Sequence, residues 1–374
     1  MKLTIDKKTF LKALSHGQGV VEKHTTIPIM SHVLLDAEAG ILKLTTTDMD
    51  LALVERIESV VELPGKTAAS AHMLHDIVRK LPDGSEICLE LNSDKSQMRI
   101  TSGASDFNIA CLPAEEFPQI AHAELPYRFK LPVATFRAVL DKSRFAMSTE
   151  ETRYFLNGIH FHTIKNDAGE LMLRSVATDA HRLACVEMSS PNEADDMPGI
   201  IVGRKTINEL RKLLNEGDES IEIGLSDSRI EFLVGQAKLS SRLIDGTFPD
   251  YEKAIPHQND KVAIVNAKEF AQAVDRVATI AVDKVRAIKV KVQSNKLLLS
   301  AASHEQGAAK EELPADFPYD DPIEIGFNAS YLMDVADQIN EDEAKLILSD
   351  SNSAAILRGV NDNRATFVLM PMRV

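Results

Sequence analysis

At 374 residues the chain is roughly two to four times the usual size of a domain, which predicts two or three domains. Hydrophobic residues make up 44% and charged residues 26%, which excludes a largely disordered polymer, and no apolar run approaches the roughly 18 residues that cross a bilayer. A net charge of −14, no Trp and only 5% aromatic residues argue against a protein that grips nucleic acid by overall charge or by stacking on bases. The opening Met1-Lys2-Leu3-Thr4-Ile5-Asp6-Lys7-Lys8 lacks the apolar core of a signal peptide, so a cytoplasmic location is expected. Cys88, Cys111 and Cys185 are too scattered for a disulfide framework and form no CxxC pair, so neither a metal nor another cofactor is expected.

In chain order, a short alternating run at 2–5 leads into a helical pattern at Thr9-Phe10-Leu11-Lys12-Ala13-Leu14. Alternating strands follow at 33–37 and 41–46, then a helix at 71–81 stopped by Pro82-Asp83-Gly84, then a strand at 86–91. The order returns with a strand at 127–131, a helix through Thr135-Phe136-Arg137-Ala138-Val139-Leu140, strands at 158–162 and 171–176, a helix at 204–214 and a strand at 220–225. It returns again with a strand at 261–265, a helix through Glu269-Phe270-Ala271-Gln272-Ala273-Val274, strands at 287–292 and 296–300, a helix at 328–339 and a strand at 344–348. Phe10, Phe136 and Phe270 are 126 and 134 residues apart, each opening an i, i+3, i+4 apolar set that shares one helix face.

The chain therefore reads as three similar α+β domains, 1–126, 127–256 and 257–374, each with two helices backed by antiparallel sheets. Charge is uneven across them. The six helical segments (6–14, 72–81, 132–145, 203–215, 266–277 and 328–340) together carry +6 in a chain of −14, leaving strands and loops strongly acidic. Such a split suits one helix-lined face turned toward an anionic polymer; it equally suits exposed helix faces that favour Lys and Arg as good helix formers.

Local motifs then single out one family. Ile27-Pro28-Ile29-Met30, Thr45-Thr46-Thr47-Asp48, Arg153-Tyr154-Phe155-Leu156-Asn157-Gly158, Ala177-Thr178-Asp179-Ala180-His181-Arg182-Leu183, Leu243-Ile244-Asp245-Gly246-Thr247-Phe248-Pro249-Asp250-Tyr251, Glu324-Ile325-Gly326-Phe327-Asn328-Ala329-Ser330-Tyr331 and Met370-Pro371-Met372-Arg373-Val374 run in order from one end to the other. Together they resemble the bacterial DNA polymerase III β subunit family, the sliding clamps. That resemblance implies a head-to-tail homodimeric ring around duplex DNA, helices inside and sheets outside, which tethers the polymerase topologically. It also implies partners: the polymerase catalytic subunit, a clamp loader, and other polymerases and repair proteins. These would dock through short Gln-x-x-Leu-Phe peptides.

The resemblance places peptide binding at Leu156, Thr178, His181, Arg182, Leu183, Pro249, Tyr331, Val368, Met370, Pro371, Met372 and Arg373. A soft Met-Pro-Met surface able to repack around different side chains suits such a groove. It places DNA contacts at Arg79, Lys80, Arg153, Tyr154, Arg204, Lys205 and Lys212, with His24 at a loop position where the family often has Arg. It places the dimer interface at Phe107 and Ile280, with His72 opposite Glu305 and Glu311. Lys253, Ala254, Asn352 and Ala354, near the groove, and Glu150, near the DNA contacts, depart from common family choices.

Enzymatic readings compare poorly. Gly199-Ile200-Ile201-Val202-Gly203-Arg204-Lys205-Thr206 falls one residue short of a phosphate loop, interposes Arg204 before Lys205, and is rich in β-branched residues that favour a strand. Asp179 and His181 have no Gly-x-Ser-x-Gly elbow to serve. The pairs His72 with His75, and His160 with His162, lack further ligands at metal-binding spacing. The expected protein is a processivity factor with no catalytic site, and a nucleotide-dependent enzyme of DNA metabolism is the alternative.

Overall fold

The computed structural model describes residues 1–22, 25–94, 96–120, 123–214, 217–281, 286–303 and 306–373; His24 and Glu305 lie outside them. Six α-helices stand among the described residues: α1 (Lys7–Gln18), α2 (Ala71–Lys80), α3 (Val133–Ser143), α4 (Arg204–Leu213), α5 (Ala267–Ala278) and α6 (Ala329–Ala336). Their starts are written locally. The Asp6 carboxylate accepts from Thr9 N at 2.9 Å, Asn266 from Glu269 N at 2.9 Å, and Asn328 from Ser330 N at 2.9 Å, each satisfying an orphan donor of the first turn.

The repeat survives into packing. α1 buries Phe10, Ala13, Leu14 and Gly17; α3 buries Phe136, Val139, Leu140 and Ser143; α5 buries Phe270, Ala273, Val274 and Val277. These are the same four positions of one helical stripe. α6 stops short of the residue 339 that periodicity gave it. Gln338 N bonds Val335 O and Ile339 N bonds Ala336 O, tighter three-residue closures that end the α-helix.

Contacts divide the chain into two compact units. Unit 1 comprises 1–137, 191–198 and 205–243; unit 2 comprises 138–190, 199–204 and 244–374. Unit 1 holds a thirteen-stranded antiparallel sheet in which Ala237–Arg242 of the second repeat pairs with Leu51–Glu58 of the first, Ser240 opposite Ala52. Unit 2 holds an eight-stranded sheet in which Arg182–Ser189 of the second repeat pairs with Ala365–Leu369 of the third, Leu183 opposite Val368. It also holds a four-stranded sheet with Gly307–Pro314 at one edge. The repeats are thus stitched by main-chain hydrogen bonds. Among the described residues no helix is long and apolar enough to cross a membrane.

Phe136 and Phe270 are each 1% exposed, whereas Val60 is 68% exposed. Phe136→Ala and Phe270→Ala should each cost about 3–5 kcal/mol, read by urea unfolding, while Val60→Thr should move the curve by less than about 0.5 kcal/mol.

Candidate functional site

All twelve residues that the resemblance assigns to peptide binding fall in unit 2. Leu183 and Val368 face each other across the joined strands and belong to an apolar cluster with Tyr251, Cys185, Ile347 and Ile356. Leu156, Thr178, Leu183 and Val368 are buried; His181, Pro249 and Arg373 are exposed; Arg182, Tyr331, Met370, Pro371 and Met372 lie between. Buried side chains therefore form a floor, and the exposed and half-buried ones offer themselves to a partner.

A turn organises this region. Thr178 Oγ1 donates to Arg182 O at 2.7 Å and accepts from Ala180 N at 3.1 Å; the Asp179 carboxylate accepts from His181 N and Arg182 N at 3.0 Å each. Held this way, Ala180 sits at φ +74°, a left-handed conformation that costs a non-glycine residue energy. Arg182 points inward. Its guanidinium donates to Asp179 at 3.1 Å, to Phe145 O at 2.8 Å and to Asp334, and lies 4.5 Å from the Tyr331 ring centre and 5.2 Å from that of Phe145. His181 stacks on the other side of the motif, its ring 6.0 Å from that of Tyr331. Burial, then the nearby Asp179 carboxylate, push the Tyr331 phenol above its ordinary pKa.

The tail is tied to this turn. Met370 N donates to His181 O at 2.9 Å and Met372 N to Gly326 O at 2.9 Å, so two methionines and Pro371 are fixed beside Tyr331's helix start rather than left loose. Asp334 and Phe145, which hold Arg182, were not foreseen. The only local signal is that Asp334 lies three residues after Tyr331 on one face of α6.

The same frame recurs in unit 1. Thr47 Oγ1 donates to Leu51 O at 2.9 Å, Asp48 accepts from Leu51 N at 2.7 Å, Met49 sits at φ +81°, and Arg242 N donates to Asp50 O at 2.9 Å just as Met370 does to His181. The chemistry differs. Asp48 there receives Lys205 Nζ at 2.5 Å, and Leu51 replaces the half-buried guanidinium.

Most of the cations expected to meet DNA already have a carboxylate in reach. Arg79 pairs with Asp76 at 3.3 Å, Arg153 with Glu150 at 3.3 Å, Lys205 with Asp48 at 2.5 Å and Lys212 with Glu209 at 2.8 Å. Lys80 is exposed at the end of α2, and Tyr154 is 53% exposed on a 3₁₀ turn (Glu151–Leu156). Arg204 donates to Met147 O at 3.2 Å, and burial lowers its pKa from the ordinary value. Sequence reading passed over Lys8 and Lys12, one turn apart and exposed on α1, which border a cleft of about 760 Å³ with Arg56 and His16.

Among the strand edges that pair on one side only, two lie at residues expected at the dimer interface. Ser105–Leu112 pairs along its length with Gln97–Ser102, but only Cys111 and Leu112 reach the strand on its other side, which leaves the backbone around Phe107 unpaired there. Phe107 is 38% exposed. Gly307–Pro314 likewise pairs on one side only. Its Glu311 bonds Arg276 of the same chain at 2.5 Å, and His72 Nδ1 lies 3.0 Å from the Gln18 amide, so neither waits for the other. Ile280 is half-buried just past α5.

The enzymatic candidates are otherwise engaged. Ile200–Gly203 forms a strand that runs directly into α4, leaving no curled loop for a phosphate. Asp179 is consumed by the turn, and His75 Nε2 lies 3.2 Å from Ser15 Oγ. Among the described residues no cluster of three or more His, Cys, Asp or Glu side chains is spaced to hold a metal ion.

Comparison with known proteins assigns every part of the chain. The N-terminal domain of the DNA polymerase III beta subunit matches residues 1–121, its central domain 130–250 and its C-terminal domain 252–373. The beta sliding clamp of Caulobacter vibrioides is 43% identical over 374 residues, and that of Escherichia coli 34% over 379, both chains covered completely in each case. A crystal structure of the sliding clamp (DNA polymerase III subunit beta) of Bartonella birtlesii bound to griselimycin superposes with a TM-score of 0.95 at 44% identity, again over all of both chains.

Removing the Arg182 side chain takes one donor from a half-buried Asp179 and one from the Phe145 carbonyl. Arg182→Met should therefore cost about 1–2 kcal/mol in urea unfolding, against less than about 0.5 kcal/mol for the exposed pair member in Arg153→Met.

Proposed function

The chain belongs to the DNA polymerase III beta subunit family, and on that premise we propose which of its surfaces close the ring, meet DNA and receive partners. It is a DNA sliding clamp of replication, a non-catalytic accessory subunit whose business is with DNA and the polymerase, and a dimeric ring is known for its family. Processivity then needs no chemistry of its own. Holding the polymerase near a primer end raises its effective concentration there.

Partners dock in unit 2, on the surface made by His181, Pro249, Tyr331 and the Met370–Arg373 tail, over the floor of Leu156, Thr178, Leu183 and Val368 with Arg182 beneath. The observation that carries this reading is the tail itself. Two main-chain bonds, to His181 O and Gly326 O, hold Met370 and Met372 half-exposed, a soft apolar surface that suits several peptides. The polymerase catalytic subunit, a clamp loader, and other polymerases and repair proteins would share it, in the cytoplasm. The three domains would divide near residues 126 and 256.

DNA contact is assigned to Arg79, Lys80, Arg153, Tyr154, Arg204, Lys205 and Lys212, with Lys8 and Lys12 added from α1. Carboxylates beside four of them favour weak, exchangeable phosphate contacts, which is what sliding requires. The dimer is assigned to the open edges at Phe107 and at Gly307–Pro314, with Ile280 and His72 nearby. Because Glu311 is already paired to Arg276, apolar packing and main-chain bonds carry that interface more than ion pairs do.

Deleting the tail from Met370 onward should abolish stimulation of the polymerase on primed template while sedimentation still reports a dimer. Unchanged stimulation, or a monomer, would count against the groove.

A further inference from the structure

His160 and His162 have no part in the reading above, yet they touch the loop that carries Pro249. They are two residues apart on the strand Gly158–Lys165, so both side chains leave the same face. Their rings stack with centres 4.9 Å apart, and His160 stacks in turn on Phe248, 4.9 Å away and 11° from parallel. Gly199 makes room on the other side: a Cβ there would stand 3.0 Å from the His160 ring.

The hydrogen bonds are all satisfied with both rings neutral. His160 Nδ1 lies 3.1 Å from Ile200 O, and a carbonyl can only accept, so Nδ1 carries that ring's proton. Tyr251 Oη accepts from Arg174 Nη1 at 2.8 Å and lies 2.9 Å from His162 Nε2. Arginine can only donate, so every group is satisfied when the phenol donates its own proton to an unprotonated Nε2. Arg174 is fixed by Glu187 at 2.6 Å and by Glu252 at 2.9 Å. Tyr251 also packs in the apolar cluster that contains Leu183 and Val368.

We propose that His160 and His162 are positioning residues for partner binding: stacked and neutral, they anchor Phe248 and Tyr251, and so fix Pro249 between them at the rim of the groove. The inference rests on the groove reading and adds to it an acid sensitivity. The groups that face the pair are Arg174 and Glu187 from neighbouring strands and Tyr251 and Glu252 from the turn. Burial first, then the neighbouring His162, push His160 down to about 4, and burial pushes His162 below its ordinary value. A depressed histidine pKa favours the neutral, ordered arrangement. In the folded protein the His160 ring therefore stays neutral until pH falls toward about 4, and the arrangement is lost as the ring protonates there.

The test is fluorescence anisotropy of a labelled, end-capped peptide without ionisable side chains, Gln-Leu-Ser-Leu-Phe, on the full-length protein between about pH 7.5 and 4.0. His160→Ala should weaken binding about tenfold at the upper pH, and His160→Phe, which keeps the stack without a proton, should restore it to within about twofold. The His160→Phe profile should also decline less on acidification than the wild type's. His181 lies in the groove in both proteins, so the difference between profiles isolates the stack. Should His160→Ala fail to sediment as a dimer, the His160→Phe profile alone decides. Wild-type affinity in His160→Ala, or a His160→Phe profile that tracks the wild type, overturns the inference and leaves the groove standing. A wild-type protein that does not bind the peptide overturns both.

Discussion

An unpaired strand edge is a row of backbone donors and acceptors that must find partners. This chain uses that requirement as its building rule. Leu51–Glu58 is completed by Ala237–Arg242, and Arg182–Ser189 by Ala365–Leu369, so each repeat ends the sheet that another began. Other edges stay unpaired on one side, among them the one beside Phe107 and the one along Gly307–Pro314. A dimeric ring is known for the family, and on the proposed reading it would continue the same rule to a second copy. The helices are then free to specialise. Their apolar stripes are spent on the sheets behind them, and their outward faces carry Lys8, Lys12, Arg79, Lys80 and Lys212.

On the proposed reading, the joins also account for where partners would bind. Each is capped by the same Thr-Asp turn, with a residue forced to positive φ and a main-chain bond from the incoming strand, at Asp50 with Arg242 and at His181 with Met370. One frame has been dressed in two ways. At the first join Asp48 is paired with a lysine, and the chain runs on through Leu243. At the second, a half-buried Arg182 is held by two carboxylates and two rings, and the chain presents Met370-Pro371-Met372. A half-buried guanidinium with fixed donors is a rigid support, and methionines are an adaptable lip. On the proposed reading, that combination would let one surface receive different side chains without itself reorganising.

How much of this was legible depends on distance along the chain. The helices were readable because Phe10 with Ala13 and Leu14, and their counterparts at Phe136 and Phe270, obey a period that is local. The Thr-Asp turns were visible as motifs for the same reason. Arg182 could be placed near the groove by resemblance, but its partner Asp334 is 152 residues away, and only the folded chain brings them together. His160 and His162 looked like an incomplete metal pair, since nothing near them in sequence announces Tyr251, 89 residues on. The end of α6 was missed because apolar spacing continues through Ile339 while the backbone has already tightened.

A clamp that holds DNA by enclosure rather than by affinity reconciles a chain of net charge −14 with a function on DNA. The most direct test is retention on nicked circular plasmid, after loading by a clamp loader, before and after a single cut linearises the DNA. Protein that stays on circles through a high-salt wash and runs off the cut ends is the predicted result. Equal retention on both forms would mean binding by surface contacts alone and would contradict the account.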